Sequence, residues 1–554
     1  MAQKFKRFNI WTSASLFIFV VYLIFLIYPI VTILGQALFS DGSLSLDNFA
    51  TFFSRSYYLD TLLNSFKVSI TATITSLVLG TAVAYCFTMF RFKGKKVLQI
   101  LIIIASMSAP FVGAYSWILL LGRNGLITKF LVNVLGFPQI DIYGFSGIVL
   151  VFTLQLFPLV FLYVSGALSS IDNSVLEAAE SMGSRGLNRI FKVILPLLTP
   201  TLLAAALLVF MRAFSDFGTP MLIGEGYRTF PVLVYSEFIS EVGGNSAFAS
   251  ALAIIAIIIA MTIFMFQKYI AQRNSFSMNS LHPIEPKKIK SFKKTSVYIF
   301  VYGIVFLAIL PQLYLIYTSF LNTSGMVFVP GYSMNSYREA FSRMGSAIIN
   351  TIRIPLLALI IVVVFATVIS YLVVRKRNMF TSLIDSMSMI PYIVPGTVMG
   401  IAFITAFNSG IGGSGFLAIT GTAFIMIVSL SVRRLPYTIR SSVAALQQIS
   451  PSIDEAAESL GSSRINTFTK ITVPMMMSGI VSGAILSWIT MISELSTSIL
   501  LYNVKTRTMT IAIYTEVLRG NYGIAAALST ILTLITVVSL LIFMKVSKSD
   551  RITM

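Results

Sequence analysis

Roughly twelve apolar runs, each about 20 residues long, alternate with short polar segments along this chain. A run of that length crosses the hydrocarbon of a bilayer as a helix, because every backbone N–H and C=O is then satisfied within the segment. In the first half the runs centre near Leu23, Leu77, Ile104, Leu156, Leu207 and Ile258, and in the second near Phe306, Val363, Val394, Ile425, Leu486 and Leu532. Composition agrees: of 554 residues, 56% are hydrophobic and only 11% charged, with a mean hydropathy of +0.88. Too few charges remain to cover a soluble protein of this size. The expected fold class is an all-α membrane protein. The apolar stretch from about Ile10 to Leu38 is too long for a signal-peptide core, so it reads as a retained first span. Pro110, Pro158, Pro391 and Pro395 are expected to kink their helices or mark irregular segments.

Charge then orients the bundle. Basic residues crowd alternate loops: Arg91 to Lys96, Arg185 to Lys192, Lys268 to Lys294, Arg375 to Arg377, Arg433 to Arg440, Arg464 to Lys470 and Lys545 to Arg551. The intervening loops hold only scattered ones such as Arg55, Arg123 and Arg338. Positive loops stay in the cytoplasm, which places both termini there with an even number of spans. The net charge of +20 is therefore a topology signal and implies no nucleic-acid partner. Cys86 alone and His282 alone cannot make a disulfide or a zinc site, so no metal site is expected, and His282 reads as solvated in a polar linker. No GxxxxGK[ST] phosphate loop occurs, and Gly410, Gly412, Gly413 and Gly415 read as turn formers.

The chain also repeats itself. Asn64 and Lys67 recur as Asn350 and Arg353, Gly122-x-x-Gly125 as Gly412-x-x-Gly415, and Arg228-Thr229 with Tyr235 and Glu237 as Arg507-Thr508 with Tyr514 and Glu516. The expected organisation is a first domain over 1–271, a basic cytoplasmic linker over 272–294 and a second domain over 295–554. Six spans per copy is an even number, so both copies insert the same way, related by an axis along the membrane normal.

The most specific pattern lies between the fourth and fifth spans of each half. Asp172 to Gly183 and Ser450 to Gly461 share E-A-A-E-S-x-G, with a proline, Pro196 or Pro474, thirteen residues after the glycine. Asp172 and Ser450 are good N-caps, Pro451 suits the first helical position, and Gly183 and Gly461 suit a left-handed C-cap. Val175, Ala178, Ala179 and Met182, like Ile453, Ala456, Ala457 and Leu460, fall at i, i+3, i+4 and i+7, which predicts one apolar stripe for a partner. A second helix is expected to follow each and to end before its proline.

These two loops resemble the E-A-A-x-x-x-G loops of permease subunits of ATP-binding-cassette importers, and the resemblance covers nearly the whole chain as two fused permease domains. It implies the type I importer fold in a bacterial cytoplasmic (inner) membrane, in contact with lipid, and a transport protein rather than an enzyme. It further implies two cytoplasmic ATPase subunits, which bind ATP and Mg²⁺ while this chain binds no cofactor itself, and an extracytoplasmic solute-binding protein. The coupling residues it implies are Glu177, Ala178, Ala179, Gly183, Glu455, Ala456, Ala457 and Gly461. The fused layout, with Asp216-Phe217-Gly218-Thr219-Pro220 and then Gly224-x-Gly226-Tyr227-Arg228, is similar to the ferric-iron branch, whereas Glu494-Leu495-Ser496-Thr497-Ser498 in the second half departs from it. Thiamine, phosphonate, polyamine and sulfate are alternative solutes, and an ion-coupled secondary transporter is the alternative mechanism. Asp216 and Glu494, at matching places in the two halves, are candidates for the solute pathway or an outer gate, with loop-capping or docking to the binding protein as the competing role. Arg212 is expected to snorkel or to pair with Asp216.

Overall fold

The apolar runs fold as helices in the computed structural model, which describes residues 10–40, 43–107, 109–139, 141–239, 246–273, 282, 284, 286–287, 291–324 and 327–546. Among the described residues, eight helices are long and apolar enough to cross a membrane unbroken. They are Ile10–Leu38, Ser56–Met89, Phe145–Ser169, Leu187–Ser215, Ser246–Phe266, Lys294–Ser319, Asn335–Arg375 and Tyr522–Phe543. Three further spans are helix pairs broken in the middle: Lys95–Ser106 with Phe111–Asn133, Met379–Ile393 with Gly396–Gly413, and Arg464–Met475 with Met477–Ile492. The helix Ala423–Gln447 falls outside this set because of its three charges, Arg433, Arg434 and Arg440; counted with the eleven it makes the twelve expected segments, numbered here as spans in chain order.

That tenth span corrects the charge map. Arg433 and Arg434 sit inside the helix rather than in a basic loop, and only Arg440 is exposed. An apolar-run reading stops at the arginines because it assumes a lipid surround. Here they face the protein interior, where a polar side chain is tolerated.

Prolines act unequally. The ninth span bends by 112° at Pro395, and Pro110 begins the second helix of the third span. Pro158 lies within an unbroken helix, Phe145–Ser169, at the loss of one backbone hydrogen bond. Pro196 does not end a helix either, because Leu187–Ser215 runs through it. A widened turn at Ile190–Ile194 precedes that proline and Phe468–Thr472 precedes Pro474, and only in the second half does the chain then break, by 69° after Met475. Small antiparallel hairpins, Phe39–Ser40 with Ser43–Leu44 and Leu321–Ser324 with Val327–Tyr332, follow the first span of each half. Gly410, Gly412, Gly413 and Gly415 all have positive φ, between 61° and 78°, and form a turn.

The halves are interleaved. The first span packs on the second half, where Trp11 meets Tyr371 at 4.7 Å and Phe468 at 5.2 Å between ring centroids. The seventh span reciprocates against the second and third spans, where Ser116 donates to the Pro311 carbonyl and the Tyr302 hydroxyl to that of Lys93. Helix ends trim the expected linker, since Ser246–Arg273 and Ser291–Ser319 enter it from both sides, and most of what lies between is outside the described residues. His282 and Lys287 are described: Lys287 bridges Phe90, and the exposed His282 gives its N–H to Asp172 at 3.1 Å.

Candidate docking helices and central cavity

The repeated E-A-A loops form two helices, Asn173–Ser181 and Pro451–Ser459. At the start, Asp172 accepts from the Ser174 N–H at 2.9 Å and Ser450 from that of Ser452 at 3.4 Å. At the end, Gly183 and Gly461 take φ of +84° and +90°, which lets Ser184 N–H reach Ala179 O at 2.9 Å and Ser462 N–H reach Ala457 O at 3.0 Å. This left-handed cap satisfies carbonyls that the helix end would otherwise orphan.

The expected single stripe is divided. Ala179 and Ala457 are buried against the bundle, whereas Val175, Ala178 and Met182, like Ala456 and Leu460, are exposed. Each alanine pair thus supplies one residue to the bundle and one to the outside. The glutamates are partly engaged within the chain: Glu180 with Arg189 at 3.0 Å and Lys287 at 3.5 Å, and Glu458 with Arg464 at 3.9 Å. Glu177 accepts from Asn173, and Glu455 is exposed. Anchoring differs between the copies. Leu176 is buried among apolar side chains, but its counterpart Asp454 meets Arg375 at 3.0 Å and accepts from the Thr472 hydroxyl at 2.7 Å.

Between the halves lies a cavity of about 250 Å³. The register that matches Asp172 with Ser450 also matches its walls: Gln155 with Arg433, Leu156 with Arg434, Leu159 with Tyr437, Arg212 with Thr490, and Asp216 with Glu494 all line it. The broken third and ninth spans add Ser106, Phe111, Tyr392 and Val394, so irregular backbone occurs where it faces a cavity rather than lipid. Asp216 ends the fifth span and accepts from the Thr219 N–H at 2.8 Å, and Glu494 repeats the contact with Thr497 N–H, also at 2.8 Å. Both carboxylates therefore cap the short helix that follows while lining the cavity. Glu494 is further held by Arg433 at 2.7 Å, and that guanidinium also donates to the Thr497 hydroxyl at 2.7 Å. Gly396 makes room for this cluster, since a Cβ there would lie 2.6 Å from Ser496 Cβ and 2.8 Å from Arg433 Nη1. Arg212 forms no ion pair with Asp216; it is exposed to the cavity.

Sequence comparison matches residues 76–276 and 364–549 to the binding-protein-dependent transport system inner membrane component family. The chain belongs to this family of importer permeases, with its domain present twice. It is 28% identical over 545 residues to the ferric transport system permease protein of Actinobacillus pleuropneumoniae, covering 96% of this chain and 77% of that one. It is also 28% identical over 251 residues to a putative 2-aminoethylphosphonate transport system permease protein of Salmonella choleraesuis (strain SC-B67), covering 44% of this chain and 87% of that one. A solved bacterial ABC transporter involved in import of the acidic polysaccharide alginate aligns with 49% of the chain at 17% identity, with a TM-score of 0.42.

The permease's cavity contains residues that a reading of loops and motifs does not single out: Gln155, Tyr392, Arg433, Arg434 and Tyr437. One signal was available. Arg433 precedes Pro436 by the same interval as Gln155 precedes Pro158, and each proline precedes its docking loop by the same interval. Extending the docking-loop register backwards places both arginines inside a span.

Proposed function

We propose that this permease is the translocation core of an ABC importer for ferric iron, driven by two ATPase subunits that seat on Asn173–Ser181 and Pro451–Ser459 and supplied by an extracytoplasmic binding protein. The observation that carries the solute is the similarity to a ferric permease along almost the full length of the chain. The docking surface rests on two identically capped helices that present Val175, Ala178, Met182, Ala456 and Leu460 outward, with Glu177 and Glu455 beside them. Buried Ala179 and Ala457, and the glycine caps, hold each helix to the span that follows, so force at the docking face passes into the fifth and eleventh spans. Those spans end at Asp216 and Glu494 in the cavity wall, which makes these two carboxylates the candidate outer gate. ATP and Mg²⁺ act on the partner subunits. Positive loops put the docking face and both termini in the cytoplasm.

The test uses Ala178→Asp with Ala456→Asp, both at exposed positions. Purified with its ATPase subunits and reconstituted with its binding protein, wild type should accumulate ⁵⁵Fe only with ATP. The double variant should keep its size-exclusion profile, lose the ATPase subunits and lose uptake. Full uptake by the variant would remove the docking assignment, and ATP-independent uptake would favour an ion-coupled carrier. A second solute reading, a phosphonate, is favoured by the similarity of one half to a 2-aminoethylphosphonate permease and by the excess of guanidinium groups in the cavity.

A further inference from the structure

The cavity wall carries three guanidinium groups and two carboxylates: Arg212, Arg433, Arg434, Asp216 and Glu494. Arg433 and Glu494 cancel at 2.7 Å. Asp216 is turned to the Thr219 N–H. Arg212 and Arg434 form no ion pair within 4 Å among the described residues, although Arg434 shares the field of Glu494, and the Nε of Arg434 is buried with no hydrogen-bond partner. The Arg434 guanidinium lies 5.9 Å from the Tyr437 ring centroid, and Arg212 lines the same cavity.

Repeat symmetry makes these charges informative. Several structural devices recur in both halves: the E-A-A helices have the same caps, and Asp216 and Glu494 accept alike from the first turn that follows. The cavity arginines do not. Arg433 stands opposite Gln155, Arg434 opposite Leu156, and Arg212 opposite Thr490. A charge within a membrane span is costly unless something pairs with it. Two unpaired guanidiniums converging on one cavity are matched by oxyanions, since the planar fork donates two parallel hydrogen bonds to a carboxylate or phosphate.

We propose that this cavity binds its solute as an oxyanion-bearing complex, with carboxylate or phosphate oxygens held by Arg212 and Arg434. The inference rests on the importer reading and specifies what the iron reading leaves open: ferric ion passes as an anionic complex rather than bare. A bare trivalent cation would meet a net positive wall, whereas a chelate with excess carboxylate or phosphate presents the complementary charge.

The experiment uses the full chain with its ATPase subunits and binding protein in proteoliposomes, with ⁵⁵Fe supplied alongside ¹⁴C-citrate or ³²P-phosphate. Arg212→Gln and Arg434→Gln should each lower ⁵⁵Fe uptake at least tenfold while ATP hydrolysis stimulated by the binding protein persists. Arg212→Lys and Arg434→Lys should recover most of it. Co-accumulation of ¹⁴C identifies a carboxylate complex and of ³²P a phosphate complex. Wild-type uptake by the glutamine variants, lysine variants no better than glutamine, or iron crossing with neither label overturns the proposal and leaves the iron reading standing. If wild type takes up no iron, the iron reading falls. Equilibrium dialysis of the purified complex against ³²P-phosphate, ¹⁴C-citrate and ¹⁴C-spermidine then decides the site, and preference for spermidine overturns it.

Discussion

Asp454 shows how one residue can divide two copies of the same motif. Its carboxylate is nearly enclosed and is held by Arg375 and Thr472, while Arg375 also donates to the Ile449 carbonyl at 2.7 Å. Removing one partner strands the other charge, which typically costs about 3–5 kcal/mol, more than the pair itself contributes. Asp454→Ala should therefore lower the unfolding midpoint of the purified permease markedly, and Arg375→Met combined with Asp454→Leu should recover most of the loss. The equivalent Leu176→Ala should cost about 2–5 kcal/mol through a cavity and should gain nothing from a polar partner. A pair of measurements in which Asp454→Ala is neutral would show that the carboxylate is solvated. A second residue-scale test concerns paired backbone contacts. Ser65 accepts from the Phe230 N–H and Thr351 from the Met509 N–H, both at 2.7 Å and buried. Ser65→Ala and Thr351→Ala should each cost about 1–3 kcal/mol, since the N–H is left without a partner.

At the scale of elements, the docking helices depend on their glycine caps more than on their length. Each is short, and isolated helices of that size do not persist in water. A Cβ at Gly183 or Gly461 meets no atom within 4 Å, so the cost of Gly183→Ala or Gly461→Ala is purely conformational, about 1 kcal/mol at positive φ. Such variants should stay folded in the membrane, exchange backbone amides of the docking helix faster, and stimulate the ATPase less; unchanged exchange would mean that docking contacts alone hold the helix. Helix crossings inside each half obey a different limit. At Gly80 a Cβ would lie 2.6 Å from Val160 Cβ and 2.8 Å from the Phe157 carbonyl, so Gly80→Ala forces the second and fourth spans apart. A loss of about 1–3 kcal/mol is expected, read as a lower unfolding midpoint in detergent. Sequence spacing makes the caps legible, because a glycine after a periodic run has few other uses. It leaves Gly80 unreadable, since what a glycine touches across a crossing depends on the partner helix.

For the whole molecule, the exchange of first spans decides how the halves cohere. Trp11 is enclosed by Tyr371 and Phe468 of the other half, and the Tyr115 hydroxyl donates to the Tyr522 carbonyl at 2.8 Å across the same divide. The linker is then not what joins the domains. Coexpression of residues 1–271 and 295–554 as separate chains should give a complex that copurifies, and Trp11→Ala should weaken it; separate elution of the two chains would show that the covalent link is required. The linker has a local contact instead, because His282 and Lys287 meet the first docking helix through Asp172 and Glu180, and no described linker residue meets the second.

Hydropathy, loop charge and the repeated E-A-A loops make most of the spans, the duplication and the two capped E-A-A helices legible, because each depends on local periodicity or on residues close in the chain. Asn64 and Asn350 were visible as a matched pair, yet their partners, the Arg228 and Arg507 carbonyls, lie far along the sequence and only folding brings them together. The same holds for the cavity. Arg433 and Arg434 are basic residues near a basic loop until the tenth span turns them inward, and Glu494 is an unpaired acid until Arg433 reaches it. Which alanine of each docking pair faces the bundle is also tertiary, since the stripe they share is continuous on the helix itself. A single chain position carries its own propensity and charge. Its partner, and therefore whether that charge is neutralised or left to meet a solute, is set by packing between segments that the sequence lists far apart.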